Sequence, residues 1–143
     1  MKIQQLSVFV ENKTGRLAEI TKTLAESKVD IKAFSVADTS DFGILRLIVT
    51  DNEKALRALS DAGFTVTMAD VIGVGINDTP GALAEVMDCL SKNEIGVEYL
   101  YAFITREDEK AYVIFNVDNW QQAEKVLIEN NFPVLQPEQV EKM

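Results

Sequence analysis

Two stretches carry the residue types and spacing most able to do chemistry: NDTPGALAEV at Asn77 to Val86 and NKTGRLAEI at Asn12 to Ile20. Each lies between an apolar, strand-like run and an amphipathic helical run, and each holds Thr, Gly, Leu-Ala and Glu in the same order. Free backbone N–H groups and the positive end of a helix dipole make such an entry loop a seat for a small carboxylate. Asn77 and Asp78 add acceptors for an ammonium group beside it, and a carboxylate next to an ammonium describes an amino acid. A plainer reading stands beside this one. Thr79 caps the helix, Pro80 takes its first position, Gly81 lets the backbone approach closely, and the pattern is helix-start chemistry without a ligand.

Other chemistry is poorly provided for. The chain has no histidine, which removes the commonest general base and the commonest transition-metal ligand. Cys89, the single cysteine, sits beside Leu90 in a helical run and reads as a buried structural thiol. Glu19 and Glu85 recur at one helical position and read as solvated helix face, with no second group to pair them for catalysis. Asp38, Asp41, Glu107, Asp108 and Glu109 gather in expected turns but lack the spacing of a calcium loop. No enzyme activity, metal site or cofactor is therefore expected.

The loops are positioned by a repeat that organises the whole chain. Gly81, Leu83, Ala84, Glu85 and Leu90 match Gly15, Leu17, Ala18, Glu19 and Leu24 at an offset of 66, and Ile95 and Val97 match Val29 and Ile31. The offset then grows to 67, pairing Asp51 with Asp118, and to 68, pairing Ala55, Leu59, Phe64 and Val66 with Ala123, Leu127, Phe132 and Val134. Two units follow, 1–69 and 70–143, with no Gly/Ser or Pro-rich linker. Strands are expected at Ile3 to Val10 and Val71 to Ile76, then a helix with apolar residues at i, i+3, i+4 and i+7. Hairpins over Ile31 to Thr50 and Val97 to Val117 come next, then helices at Glu53 to Ala62 and Trp120 to Asn130. Short strands at Phe64 to Met68 and Phe132 to Leu135 close each unit. The order βαββαβ, twice, predicts an α+β fold of two tandem ferredoxin-like units, antiparallel sheets with helices on one face. Both phases of the third strand are apolar, and Tyr99, Tyr101 and Phe103 form an aromatic stripe. Either could be a binding platform, but both read as packing against the other unit or another chain, so a homodimer is expected.

Composition excludes several partners. With 143 residues, 47% of them hydrophobic, the chain can bury a real core. A net charge of −9 repels phosphate backbones and anionic lipid, so neither nucleic acid nor membrane is an expected partner. No apolar run reaches spanning length and there is no leader pattern, which points to the cytoplasm.

The pattern of strand, Asn/Asp-x-Pro-Gly-x-Leu-Ala, helix, apolar hairpin and second helix resembles the ACT domain, a small-molecule sensing module often attached to amino-acid biosynthetic enzymes. Asn77, Asp78, Pro80, Gly81, Leu83 and Ala84 carry the resemblance in the second unit, and Asn12, Gly15, Leu17 and Ala18 in the first. The first loop departs from it, with Lys13 and Thr14 before its glycine, and Lys13 and Arg16 make it more cationic. The resemblance implies units paired side by side, with an amino acid held where such a loop meets the second strand of a neighbouring unit. Its implied binding set is Asn12, Thr14, Gly15, Arg16 and Leu17 with Asn77, Asp78, Thr79, Gly81, Ala82 and Leu83. Phe34, Ser35 and Val36, with Leu100, Tyr101 and Ala102, are implied on the second strands. Asp30, Asp38, Asp41 and Glu98 near those strands would repel an acidic ligand, so a neutral or weakly basic amino acid is favoured. The two units use the whole chain, so a stand-alone regulatory module acting on a separate amino-acid-metabolism enzyme is expected. The competing expectation is a protein interaction module that uses its open sheet face and binds no small molecule.

Overall fold

The computed structural model describes residues 2–38, 41–104 and 110–143, with Asp38 described by its backbone alone. The elements are β1 (Ile3–Glu11), α1 (Arg16–Glu26), β2 (Ile31–Asp38), β3 (Phe42–Val49), α2 (Asn52–Asp61), β4 (Thr65–Asn77), α3 (Ala82–Lys92), β5 (Val97–Ala102), β6 (Lys110–Val117), α4 (Trp120–Glu129) and α5 (Pro137–Glu141). The chain separates into two compact units, Gln4–Ala69 and Asp70–Met143, the latter with Lys2 and Ile3.

In the first unit the strand order is β2-β3-β1-β4, with β3 antiparallel to both β1 and β2. Period-two alternation puts Leu6, Val8 and Val10 of β1 on one face with Leu45, Leu47 and Val49 of β3. Ile20 and Leu24 of α1 and Ala55 and Leu59 of α2 close over them, so both helices cover that face. Burying a leucine or isoleucine there contributes about 1.5–3 kcal/mol each. The second unit repeats this with Ile72 and Val74 of β4, Val113 and Phe115 of β6, Val86 and Leu90 of α3, and Ala123, Val126 and Leu127 of α4.

The helix ends repeat as closely as the core. Past each of α1, α2, α3 and α4 a residue enters the left-handed region: Lys28, Gly63, Glu94 and Asn131. The next N–H returns to a carbonyl of the last turn: Val29 to Leu24, Phe64 to Leu59, Ile95 to Leu90 and Phe132 to Leu127, all at 2.9–3.0 Å. These are Schellman closures, each with an apolar pair beneath it.

Four expectations need correction. The expected strands at 64–68 and 71–76 are one continuous β4 of 13 residues. The closing strand at Phe132 to Leu135 is reduced to a bridge between Val74 and Val134, held by Gly75 N–H to the Pro133 carbonyl and Leu135 N–H to the Gly73 carbonyl. Pro133 has no N–H to extend the ladder, and Pro137 starts the unexpected short helix α5. The first strand of the hairpin expected over Val97 to Val117 ends at Ala102, beyond which the Phe103 N–H donates to the Tyr112 carbonyl, and Thr105 lies outside the described residues. The pairing of Asp51 with Asp118 is also shifted. Asp118 accepts from the Gly96 N–H, as Thr50 accepts from the Asp30 N–H, so Thr50 matches Asp118 and Asp51 matches Asn119. Because Phe42 already matches Lys110, both extra residues lie in the hairpin connection.

Candidate functional site

The entry loops are built alike. In the second, the Thr79 N–H donates to the Asn77 carbonyl at 2.9 Å and the Ala82 N–H to the Thr79 carbonyl at 3.2 Å. In the first, Lys13 N–H donates to Glu11 and Arg16 N–H to Lys13, at 2.7 and 3.3 Å. These tight turns end on Gly81 at φ 90° and Gly15 at φ 92°, each the residue before its helix. Left-handed backbone of this kind favours glycine, and it is the reason for the glycine here. A Cβ on either would meet no atom of the protein within 4 Å, so no contact within the chain demands glycine there.

The expected capping is corrected in the same stroke. Gly81 occupies the cap position, no side chain caps α3, and Pro80 precedes the helix. The helices over the second half of each unit are capped instead, Asp51 accepting from the Lys54 N–H and Asn119 from the Gln122 N–H, both at 3.1 Å. Helical geometry gives the first-turn N–H groups of Leu17 and Ala18, and of Leu83 and Ala84, no intrahelical acceptor. With no side-chain cap and with all four residues exposed, these donors face outward.

The electrostatics of the two loops differ less than composition suggests. Lys13 is paired with Glu11 at 3.0 Å and Arg16 with Glu19 at 3.1 Å, so the added cations of the first loop are compensated within it. The Lys13 ammonium, through its hydrogen bond and then its charge, holds the Glu11 carboxyl below its ordinary value, and Arg16 adds to this.

Asn12, Thr14, Asn77, Asp78 and Thr79 are exposed on the loops, and the Asn12 N–H is tied to the Asp41 carbonyl. Arg16 and Ala82 are half-buried, while Leu17 and Leu83 are exposed. On β2, Phe34 and Val36 are 53% and 49% exposed, with Ser35 between them half-buried. On β5, Leu100 and Ala102 are exposed, whereas Tyr101 points to the other face opposite Ile114, 9% exposed and stacked on Tyr99 at 6.4 Å between ring centroids. Phe103 is buried and meets the Tyr112 ring edge-on.

Beside each loop lies a groove at matching positions. The second-unit groove, about 340 Å³, is lined by Gly75, Ile76, Asn77, Ala82, Glu85, Lys110 and residues 130–133. The first-unit groove, about 250 Å³, is lined by Phe9, Glu11, Arg16, Glu19, Phe42 and residues 62–65. Arg16, Asn77 and Ala82 of the expected set reach these grooves; the second-strand residues line neither. Lys110 and residues 130–133 were not singled out from sequence, although the offset of 68 aligns them with Phe42 and residues 62–65.

Cys89 is half-buried against the second core rather than fully buried, and burial, followed by the Asp88 charge, pushes its thiol up. Among the described residues no three His, Cys, Asp or Glu side chains come together as for a metal. The Asp38 side chain and residues 107–109, considered for a cation, lie outside the described residues. Among the described residues no helix is long and apolar enough to cross a membrane.

Comparison with known proteins matches residues 1–143 to the family described as the ACT domain pair. Protein BT0572 from Bacteroides thetaiotaomicron is similar at 38% identity, covering 100% of this chain and 98% of that one, with a TM-score of 0.93. The regulatory subunits of aspartate kinase from Thermus thermophilus and Thermus flavus share the fold at 15% and 17% identity. Each match covers 88% of this chain and 91% or 90% of the other, with TM-scores of 0.65 and 0.62. No curated protein matches.

Proposed function

The chain belongs to the ACT domain-pair family, and from that membership we propose that it is a non-catalytic regulatory protein that binds a free amino acid at its helix-entry loops. The observation that supports this is the pair of outward-facing, uncapped N–H groups at the start of α1 and α3, behind left-handed Gly15 and Gly81. They seat the carboxylate; Asn12, Thr14 and Arg16 in one loop, and Asn77, Asp78 and Thr79 in the other, surround the remainder. A neutral or weakly basic amino acid suits the acidic chain, net charge −9.

The edge strands complete the reading. β2 and β5 stand at the ends of the strand order, and β2 presents Phe34 and Val36 to solvent. An apolar edge strand invites pairing with another copy, so the protein acts as a homodimer in which a loop meets Phe34, Ser35 and Val36 or Leu100, Tyr101 and Ala102 of a neighbouring unit. Binding there favours one arrangement by its differential affinity, and a separate cytoplasmic enzyme of amino-acid metabolism reads that arrangement. The exposed Phe34 and Val36 equally favour the second reading, a regulatory subunit that docks a protein on this edge without a small ligand.

A thermal-melt screen against all twenty amino acids at millimolar concentration separates the two. A ligand at 100 times its Kd adds about 2.7 kcal/mol of stability. Selective stabilisation by one amino acid, lost in Gly81→Asn and Gly15→Asn, is the expected result. No shift with any amino acid sinks the sensor reading and leaves the docking one.

A further inference from the structure

We propose that Lys2 and Ile3 form a strap that holds the closing segment of the second unit, residues 132–141, on its sheet, and that releasing the strap loosens one wall of the groove beside the second entry loop. The need for a strap starts at Pro133. In the first unit Thr65 to Thr67, the residues matched by Pro133 to Leu135, lie within the continuous strand β4. In the second unit Pro133 has no N–H to donate, and the segment is tied to β4 by the bridge of Val74 with Val134 and two hydrogen bonds. The Gly75 N–H reaches the Pro133 carbonyl at 2.8 Å and the Leu135 N–H the Gly73 carbonyl at 2.7 Å. Such bonds exchange with water at little net gain, so two of them hold a segment weakly.

An apolar contact adds to them. Ile72 and Val74 face the helices, so the period of two turns Gly73 to the other face of the sheet. There Leu135 lies so close over Gly73 that a Cβ would come within 2.8 Å of its Cδ1, and the Cδ1 of Ile3 lies 3.1 Å from the same point. Both side chains are buried, and Ile3, although it opens β1, belongs to the second unit. Lys2 fastens the strap from the other side. Its ammonium lies 3.4 Å from the Asp70 carboxylate and 5.8 Å from the centre of the Trp120 ring, both in that unit. Each contact is weak in water, yet together they set the direction in which the chain enters Ile3. The groove is affected because residues 130–133 form one of its walls, completed by Asn77 and Ala82. A segment that lifts from Gly73 and Gly75 takes that wall with it, whatever the groove or the loop binds.

Native-state amide hydrogen exchange of the intact protein, read by NMR without added ligand, tests this, because the Gly75 and Leu135 amides are the donors that tie the segment down. Ile3→Ala should speed exchange at both by at least tenfold, while the Val113 and Phe115 amides of β6, in the second core, keep their protection. Lys2→Gln leaves Ile3 in place; it should speed both roughly threefold and change the emission of Trp120, the one tryptophan of the chain. If Ile3→Ala does not fold, Lys2→Gln alone decides. Unchanged exchange at Gly75 and Leu135, or an equal rise at Val113 and Phe115, which marks ordinary loss of stability, overturns the proposal.

Discussion

Gly81→Ala tests what shapes the entry loop. A Cβ at this position meets nothing within 4 Å, so packing contributes no penalty and the backbone alone decides. At φ 90° an alanine carries about 1–2 kcal/mol of left-handed strain. Against this, alanine loses less conformational entropy on folding, worth about 0.4–1 kcal/mol where the conformation fits. The net loss should be roughly 1 kcal/mol, or about 2–4 °C in Tm for a chain of this size. Gly81→Asn should lose less, because asparagine tolerates the left-handed region. Gly15→Ala at φ 92° should match Gly81→Ala, since its surroundings are equally open. Urea denaturation followed by far-UV circular dichroism, without added amino acids, measures all three variants. If alanine were neutral at both sites, or asparagine as damaging as alanine, backbone geometry would not be the reason for these glycines. The same reasoning makes asparagine the cleaner ligand-site control, because a β-branched or bulkier residue would mix strain with blocked binding.

Gly73→Ala places a Cβ 2.8 Å from Leu135 Cδ1 and 3.1 Å from Leu135 Cβ, so it should cost about 1–3 kcal/mol. Gly75→Ala meets the edge of the Tyr112 ring at 3.0 Å, which can swing aside, and should cost clearly less; equal losses in denaturation would refute the distinction. Asp51→Ala and Asn119→Ala remove observed caps and should each lose about 1 kcal/mol, while Thr79→Ala, which caps nothing, should be neutral. Glu11 should titrate below an ordinary glutamate by NMR and return toward it in Lys13→Ala. Its folded pKa is depressed, so its contribution is present above the unfolded carboxylate pKa and fades as pH falls through the folded one.

The parts legible in sequence were those on which the backbone depends. Leu24 with Val29, Leu59 with Phe64, Leu90 with Ile95 and Leu127 with Phe132 exposed the repeat because each is a carbonyl and N–H pair of a helix closure with its apolar contact. The alternation of Leu45, Leu47 and Val49 marked a core face for the same reason, a period of two. The helix caps were misread because Thr79 has the right residue type in the wrong place: a turn intervenes and delivers a glycine, not a side chain, to the cap. The last strand was misread because Phe132 to Leu135 matches Phe64 to Met68 in apolar pattern while Pro133 withholds an N–H. The grooves escaped notice because residues 75–85, 110 and 130–133 are far apart in sequence and meet only once the sheet is folded.

The duplication separates two kinds of constraint. Positions that set backbone geometry agree between the units, down to Lys28 and Glu94, different side chains in the same left-handed conformation at φ 58° and 56°. Positions that set charge diverge: Arg16 against Ala82, Phe42 against Lys110, Glu11 against Asn77. A fold that needed these charges for stability would have kept them in both copies, and exposed ion pairs such as Arg16 with Glu19 contribute only about 0–1 kcal/mol in any case. The divergence therefore changes the charge beside each helix-entry loop without changing its backbone. The first is neutralised by its own side chains, while the second has Asn77 and Ala82 in the places of Glu11 and Arg16, so the two units present the same donors under different fields. If the entry loops bind one amino acid as proposed above, the two would fill at different concentrations, the arrangement by which a duplicated sensor reports a graded signal.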